Sequence, residues 1–163
     1  NGLIGVWGTE LTVSSHAYKK ELIKGAPNCQ VIETAPVELL RLAEKGKIED
    51  KKQIKEIIRR YLQQYKNGDL SQLIFGCTDL TCVRPEIEEI AGPGIQIIDP
   101  AEEIVSELRD ILEKDYLLNN QAKELRLYKI YITGKDTQQF SVFVEEFLGI
   151  KSQEVNQTNL QNY

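Results

Sequence analysis

The sequence predicts an α/β fold in which a mostly parallel β-sheet is flanked by helices. Short apolar runs alternate with longer amphipathic runs along most of the chain, which is the pattern of repeated strand–helix units. The chain has 163 residues, of which 41% are hydrophobic, and this is enough for one sizeable core. Polar stretches follow two of the apolar runs, and in an open sheet ligands bind beyond the carboxyl ends of the strands.

Five segments have the apolar composition of strands. Several of them are bounded by Gly or Pro, which mark turns. They cover residues 2–9, 29–34, 68–76, 94–100 and 125–134. The last of these segments alternates apolar and polar side chains, as a strand does.

Amphipathic runs between these segments predict helices. The clearest spans residues 50–66, where apolar side chains recur at the spacing of one helix face: Ile54, Ile57, Ile58, Tyr61, Leu62 and Tyr65. Further helices are predicted over residues 12–25 and 35–46, after Pro85, along a stripe from Ile104 to Leu112, and over residues 136–149. We expect the polar tail, residues 151–163, to be frayed.

Charge and cysteine content exclude several classes of protein. The net charge is -5 and the basic residues are interleaved with acids, so we expect no nucleic acid as a partner. No apolar run reaches the length of a membrane span and no signal peptide is visible, so we expect no membrane association. Three cysteines are too few for a disulfide framework, which indicates a reducing compartment, and we expect the cytoplasm.

Two polar stretches, residues 8–12 and 76–79, lie at the ends of predicted strands and are candidates for one site. Cys77 is either a small buried hydrophobe or a catalytic thiol, and the residues around it leave both interpretations open. Asp79 would disfavour a thiolate, although it could accept a proton or orient another donor. For Thr9 and Thr12, helix capping is the simpler interpretation.

Two other residue types give weaker signals. Glu44 lies late in a predicted helix, where a glutamate is normally exposed. The only histidine, His16, is predicted to be a surface residue. His16, Cys77, Asp79 and Cys82 have no recognisable metal-ligand spacing, so we expect no metal site.

Four stretches, in order, resemble segments of the glutamate racemases, within the aspartate/glutamate racemase superfamily. They are IGVWGTELTVSSHAY at residues 4–18, LIFGCTD at 73–79, IIDPAEEIV at 97–105 and YITGKDTQQFSVFVEEFLG at 131–149. The resemblance implies an enzyme that interconverts L- and D-glutamate without a cofactor and supplies D-glutamate for peptidoglycan. Its partner would be a small amino acid, and the resemblance leaves a homodimer open.

The resemblance also implies roles for individual residues. Cys77 corresponds to the second of two catalytic cysteines, which lie on opposite faces of the substrate. Thr9, Thr12 and Thr78 correspond to substrate-binding threonines. Glu44 corresponds to the glutamate that pairs with the histidine after the cysteine.

The chain departs from the family pattern in two ways. Asp79 stands where the family has histidine, which makes aspartate the alternative substrate. The motif of the first cysteine is missing, and Cys29 and Cys82 lie in no such context. We therefore expect a C-terminal portion that holds half of a site and does not racemise alone. A non-catalytic binding remnant of the fold is the alternative to an enzyme.

The expected organisation follows from the same comparison. Residues 1–100 would form a racemase-like domain with the second catalytic cysteine. Residues 101–150 would form a helix–strand–helix segment that returns to the missing N-terminal domain, and residues 151–163 a polar tail. The chain contains no Met, so we expect the natural N-terminus to lie elsewhere.

Overall fold

The computed structural model describes residues 2–65, 69–119, 129–149 and 155–160, with a few side chains of the last helix left out. The chain divides into two compact units, Asn1–Lys114 and Asp115–Tyr163. In the described residues no helix is both long and apolar enough to cross a lipid bilayer.

The first unit is built on a parallel sheet, as the sequence predicts. Its described strands are β1 (Leu3–Gly8), β2 (Gln30–Thr34), β3 (Leu70–Gly76) and β4 (Gln96–Ile98), in the order β2-β1-β3-β4. Each neighbouring pair is parallel. The prediction of a mostly parallel α/β sheet is therefore confirmed, and all strand carboxyl ends of this sheet lie at one edge.

Helices connect these strands. They are α1 (Glu10–Ser15), α2 (Ala17–Gly25), α3 (Val37–Glu44), α4 (Lys51–Leu62), α5 (Arg84–Ala91) and α6 (Pro100–Lys114). A 3₁₀ helix, Thr78–Val83, follows β3 directly. It was not predicted.

The predicted helix over residues 12–25 is wrong in one respect, because the structure has two helices there. His16 adopts the left-handed conformation, with φ of 54° and ψ of 24°, and separates α1 from α2. No Gly or Pro marks this break, and His is among the non-Gly residues that tolerate the left-handed region best.

Helices cover both faces of the sheet. On one face, Trp7 and Phe75 pack with apolar side chains of α3, α4 and α5. The predicted stripe of α4 is confirmed, because Ile54, Ile57 and Ile58 are all buried. On the other face, the smaller cluster of Ile4, Val6 and Ile74 packs against side chains that include Tyr18 and Leu22 of α2.

The predicted stripe of α6 behaves differently. The helix forms as expected, but its apolar side chains Ile104, Val105, Leu108 and Ile111 are exposed. Amphipathic spacing thus predicted the helix correctly without predicting burial of its apolar face.

The second unit contains β5 (Ile130–Ile132), α7 (Thr137–Leu148) and β6 (Val155–Gln157). β5 and β6 pair in parallel. The expectation of a frayed tail is therefore wrong for residues 155–157, because backbone pairing with β5 needs no apolar side chains. Residues 125–128 of the predicted strand and several predicted apolar side chains of α7 lie outside what the structure describes.

Candidate active site

The two predicted polar stretches come together at one edge of the sheet. Gly8 ends β1 and Gly76 ends β3, and the two glycines are register partners in the parallel pair. Thr9 and Cys77 each follow directly. Two neighbouring strands therefore end at the same position along the sheet, and polar residues follow both ends.

Glycine at these two strand ends makes room for side chains that lie over them. A Cβ atom on Gly8 would lie 3.0 Å from Cγ2 of Thr12 and 3.3 Å from the Gly76 carbonyl oxygen. A Cβ atom on Gly76 would lie 3.2 Å from the Trp7 carbonyl oxygen and 3.3 Å from Cε2 of Tyr18. Distances this short would require Thr12 and Tyr18 to shift by a few tenths of an ångström, so glycine lets both side chains lie directly over the strand ends.

The two threonines form a hydrogen-bonded pair at the start of α1. Oγ1 of Thr9 accepts a hydrogen bond from the Thr12 amide at 3.1 Å, so Thr9 is the N-cap, as its sequence position suggests. The two hydroxyl oxygens are 2.9 Å apart. One hydroxyl proton serves the bond between them, and the other can be donated to an anionic group.

Cys77 is the N-cap of the 3₁₀ helix and is half-buried against the larger core cluster. Its Sγ donates to Oδ2 of Asp79 at 3.5 Å. Burial raises the pKa of the Cys77 thiol, and although the backbone N–H of Asp79 lowers that pKa, the carboxylates of Asp79 and Glu44 raise it further. The thiol is therefore the resting form at neutral pH.

The two predicted acids both raise the pKa of this thiol, although only Asp79 contacts it. Asp79 is half-buried and accepts its hydrogen bond, whereas Glu44 is exposed at the last residue of α3. The contacts of the described residues include no hydrogen bond between the two carboxylates. Thr78 is exposed at the first position of the 3₁₀ helix, beside Cys77.

The other two cysteines occupy different surroundings. Cys82 is half-buried in the 3₁₀ helix, and burial followed by the charge of Asp79 raises its pKa. Cys29 comes just before β2, at the amino edge of the sheet, opposite to the site. All three cysteines are free thiols.

Sequence reasoning missed Asp99, which lies at the same carboxyl edge. It follows β4 and is buried. Its Oδ2 accepts from the Thr81 hydroxyl at 2.8 Å, and its Oδ1 accepts from the Ala101 amide at 3.0 Å. Asp99 thus joins the 3₁₀ helix that begins after Cys77 to the first turn of α6. An Asp just after an apolar run and before a helix is an N-cap signal that could have identified it.

His16 lies on the surface, as predicted, and contacts an acid that the sequence did not indicate. Its Nδ1 is 2.6 Å from Oε2 of Glu33 on β2. The described residues contain no group of three or more His, Cys, Asp or Glu side chains that could hold a metal ion.

The similar curated proteins and the similar solved structures are all glutamate racemases. No protein-family model matches the chain. The curated glutamate racemase of Lactobacillus helveticus is 31% identical over 163 residues, which is 98% of this chain and 60% of that protein. The chain thus spans about 60% of the length of this curated relative.

Solved structures have the same fold. The glutamate racemase isoform RacE1 of Bacillus anthracis superposes with a TM-score of 0.82 and 28% identity, over 98% of this chain and 58% of that one. The glutamate racemase of Francisella tularensis, solved with D-glutamate, also gives a TM-score of 0.82, over 100% of this chain and 60% of that one. At 24% identity, this second likeness shows the fold alone. The predicted resemblance is confirmed: the chain is similar to glutamate racemases in sequence and in fold, over about 60% of the length of the Lactobacillus helveticus protein.

Proposed function

We propose that the full-length protein is a glutamate racemase and that Cys77 is one of its two proton-transfer groups. The proposal rests on the position of Cys77, which directly follows the end of β3. The Thr9–Thr12 pair follows the end of β1, and these two strand ends are paired. Homology to glutamate racemases supports the substrate.

The threonines would hold the amino acid. The hydroxyl proton that the Thr9–Thr12 pair does not use internally can be donated to a substrate carboxylate, and the exposed Thr78 hydroxyl can add a second contact. A substrate held at the strand ends would have its Cα facing the sulfur of Cys77.

The proposed reaction exchanges one proton for another at Cα. A thiolate on the far face takes the α-proton and becomes a thiol, while Cys77 gives its S–H proton to the other face and becomes a thiolate. The C–H bond broken and the C–H bond formed balance, so no cofactor is needed. A raised pKa suits Cys77 to the donor role in this direction, and the reverse reaction restores the starting state.

The opposing base would come from outside these 163 residues. Cys29 lies at the opposite edge of the sheet, and Cys82 lies in the 3₁₀ helix that directly follows Cys77. Neither thiol would therefore reach the face of the substrate that is opposite to Cys77. We therefore propose that the 163-residue chain does not racemise glutamate by itself.

Asp79 and Glu44 would keep Cys77 protonated until it donates. Both carboxylates raise the pKa of this thiol, and Asp79 also accepts its S–H, which orients the proton. These two acids are positioning and electrostatic groups in the proposal, because only the sulfur exchanges a proton with the substrate.

The test is conversion of L- to D-glutamate by the full-length protein, with and without Cys77→Ser. A serine hydroxyl is a far weaker acid than a thiol, so the rate should fall by about 100-fold or more. Cys82→Ser is the matched control and should retain turnover. Equal rates in the wild type and Cys77→Ser would rule out the role given to Cys77.

Aspartate is the alternative substrate because Asp79 contacts the thiol where the family has histidine. Parallel assays of the two amino acids decide between them by the ratio of kcat/KM. A non-catalytic remnant would instead bind an amino acid in calorimetry and incorporate no solvent deuterium at Cα.

The biological role is proposed on the same homology. D-glutamate would serve peptidoglycan synthesis, and thereby cell-wall biogenesis and cell shape, with the enzyme acting in the cytoplasm, where a homodimer is one assembly to test. Expression of the full-length protein should restore growth of a bacterial strain that requires external D-glutamate, and failure to do so with soluble, active protein would contradict this role.

A further inference from the structure

The short helix α1, which carries Thr12, buries little of its surface. α1 is six residues long and buries none of them, and Leu11 on it is 80% exposed. Apolar packing, which orients most surface helices, is therefore weak in α1, where Val13 is only half-buried. Its contact with the strand ends is the Thr12 side chain over Gly8 and Gly76.

The far end of α1 is held by His16. The His16 amide donates to the Val13 carbonyl oxygen at 3.1 Å and ends α1, and its carbonyl oxygen accepts from the Lys20 amide at 3.0 Å within α2. Its left-handed backbone is unusual for a residue other than Gly and persists only where the surroundings support it.

Glu33 supplies that support from β2. Its side chain is 4% exposed, and it lies beside Val6, its buried register partner on β1. Oε2 accepts from Nδ1 of His16 at 2.6 Å, whereas Oε1 is buried with no partner among the described residues. A buried carboxylate of this kind is unfavourable without its one polar contact, which makes the His16 position strongly preferred.

We infer that His16 and Glu33 are positioning residues for the Thr9–Thr12 pair. Thr9 is fixed to β1 at one end of α1, and His16 is fixed to β2 at the other, so the two anchors set where the hydroxyls point. The inference rests on the proposed function for the claim that these hydroxyls bind substrate.

Four variants of the full-length protein separate this role from general stability. Glu33→Val replaces the buried acid by a strand-forming apolar residue, and replacement of a buried ion by an apolar side chain preserves stability in many proteins. His16→Asn keeps a residue that tolerates the left-handed backbone but removes the imidazole. Glu21→Gln, in the exposed pair with Lys24, is the matched control.

Glu33→Val and His16→Asn should each raise the KM for glutamate by up to about tenfold, the effect of losing one hydrogen bond to the substrate. The change in kcat should stay within about twofold, because a contact made equally in the ground and transition states alters KM alone. Glu33→Gln keeps an acceptor for the imidazole N–H and should restore a KM near that of the wild type. Glu21→Gln should change neither constant.

The second readout is independent of catalysis. In the same protein, the methyl and amide NMR resonances of Thr9 and Thr12 should shift in Glu33→Val and His16→Asn and stay in place in Glu21→Gln. Unshifted threonine resonances overturn the inference, and so do shifted resonances with an unchanged KM. If the wild type does not turn over glutamate, the proposed function fails, while shifted threonine resonances would still support the positioning role.

Discussion

At the scale of single residues, the candidate site depends on the protonation of one thiol. Asp79 could be named from the sequence because it is two positions from Cys77, and the sign of its charge effect was predictable. Glu44 could be named only through the family resemblance. The larger cause, burial of the thiol against the core, depends on packing that no local pattern encodes.

Replacing Asp79 by Asn should lower the pKa of Cys77. The Asp79 carboxylate opposes the thiolate by its charge and stabilises the thiol by accepting its proton, and the neutral amide weakens both effects. At a fixed pH of about 8, near the ordinary thiol pKa, Cys77 should therefore react faster with iodoacetamide. Residue-resolved mass spectrometry measures this rate separately for each of the three cysteines.

Asp110→Asn is the control, because it removes an exposed acid of α6 instead. A Cys77 alkylation rate that is the same in Asp79→Asn and the wild type would show that Asp79 does not act on this thiol.

At the scale of elements, the sequence predicted the type of nearly every strand and helix of the first unit. It failed where a long-range contact decides the local structure. The break at His16 is held by Glu33, which is 17 positions away, and becomes visible only once β2 has its place beside β1. The link from Asp99 to Thr81, 18 positions apart, likewise needs β4 beside β3.

Asp99→Ala should destabilise the protein by about 1–3 kcal/mol, because α6 loses its N-terminal acceptor and the Thr81 hydroxyl loses its partner. Asp99→Asn keeps acceptor oxygens and should lose less. Urea denaturation measures the free energy of unfolding, with Asp110→Ala as an exposed control on the same helix. Equal loss in Asp99→Ala and Asp110→Ala would contradict the buried link.

At the scale of the whole molecule, the larger core contains Trp7, which is 0% exposed on the inner strand β1. Its Nε1 donates to Oη of Tyr65 at 2.9 Å, a bond that ties β1 to the chain just beyond α4. The periodic apolar pattern of residues 50–66 predicted that Tyr65 faces the core. Periodicity does not identify hydrogen-bond partners, so the contact of its hydroxyl with Trp7 could not be predicted.

Tyr65→Phe should cost about 1–3 kcal/mol, because it leaves the buried indole N–H without an acceptor. Trp7 is the only tryptophan, so its fluorescence follows the unfolding of this core directly. Tyr116→Phe is the matched control, since that ring is 96% exposed. A stability equal to the wild type in Tyr65→Phe would show that the bond contributes nothing.

The strand order also determines when the site can form during synthesis. Among the strands of this sheet β1 is made first, yet it lies inside the sheet, so its backbone groups on one side cannot pair with β3 until β3 has left the ribosome. Gly8 has no register partner on this side until Gly76 is made, and Cys77 is the residue added after Gly76. A nascent chain that lacks β3 therefore has neither the inner pair of strands on which the core is built nor Cys77, and both depend on the synthesis of β3 and the residues after it.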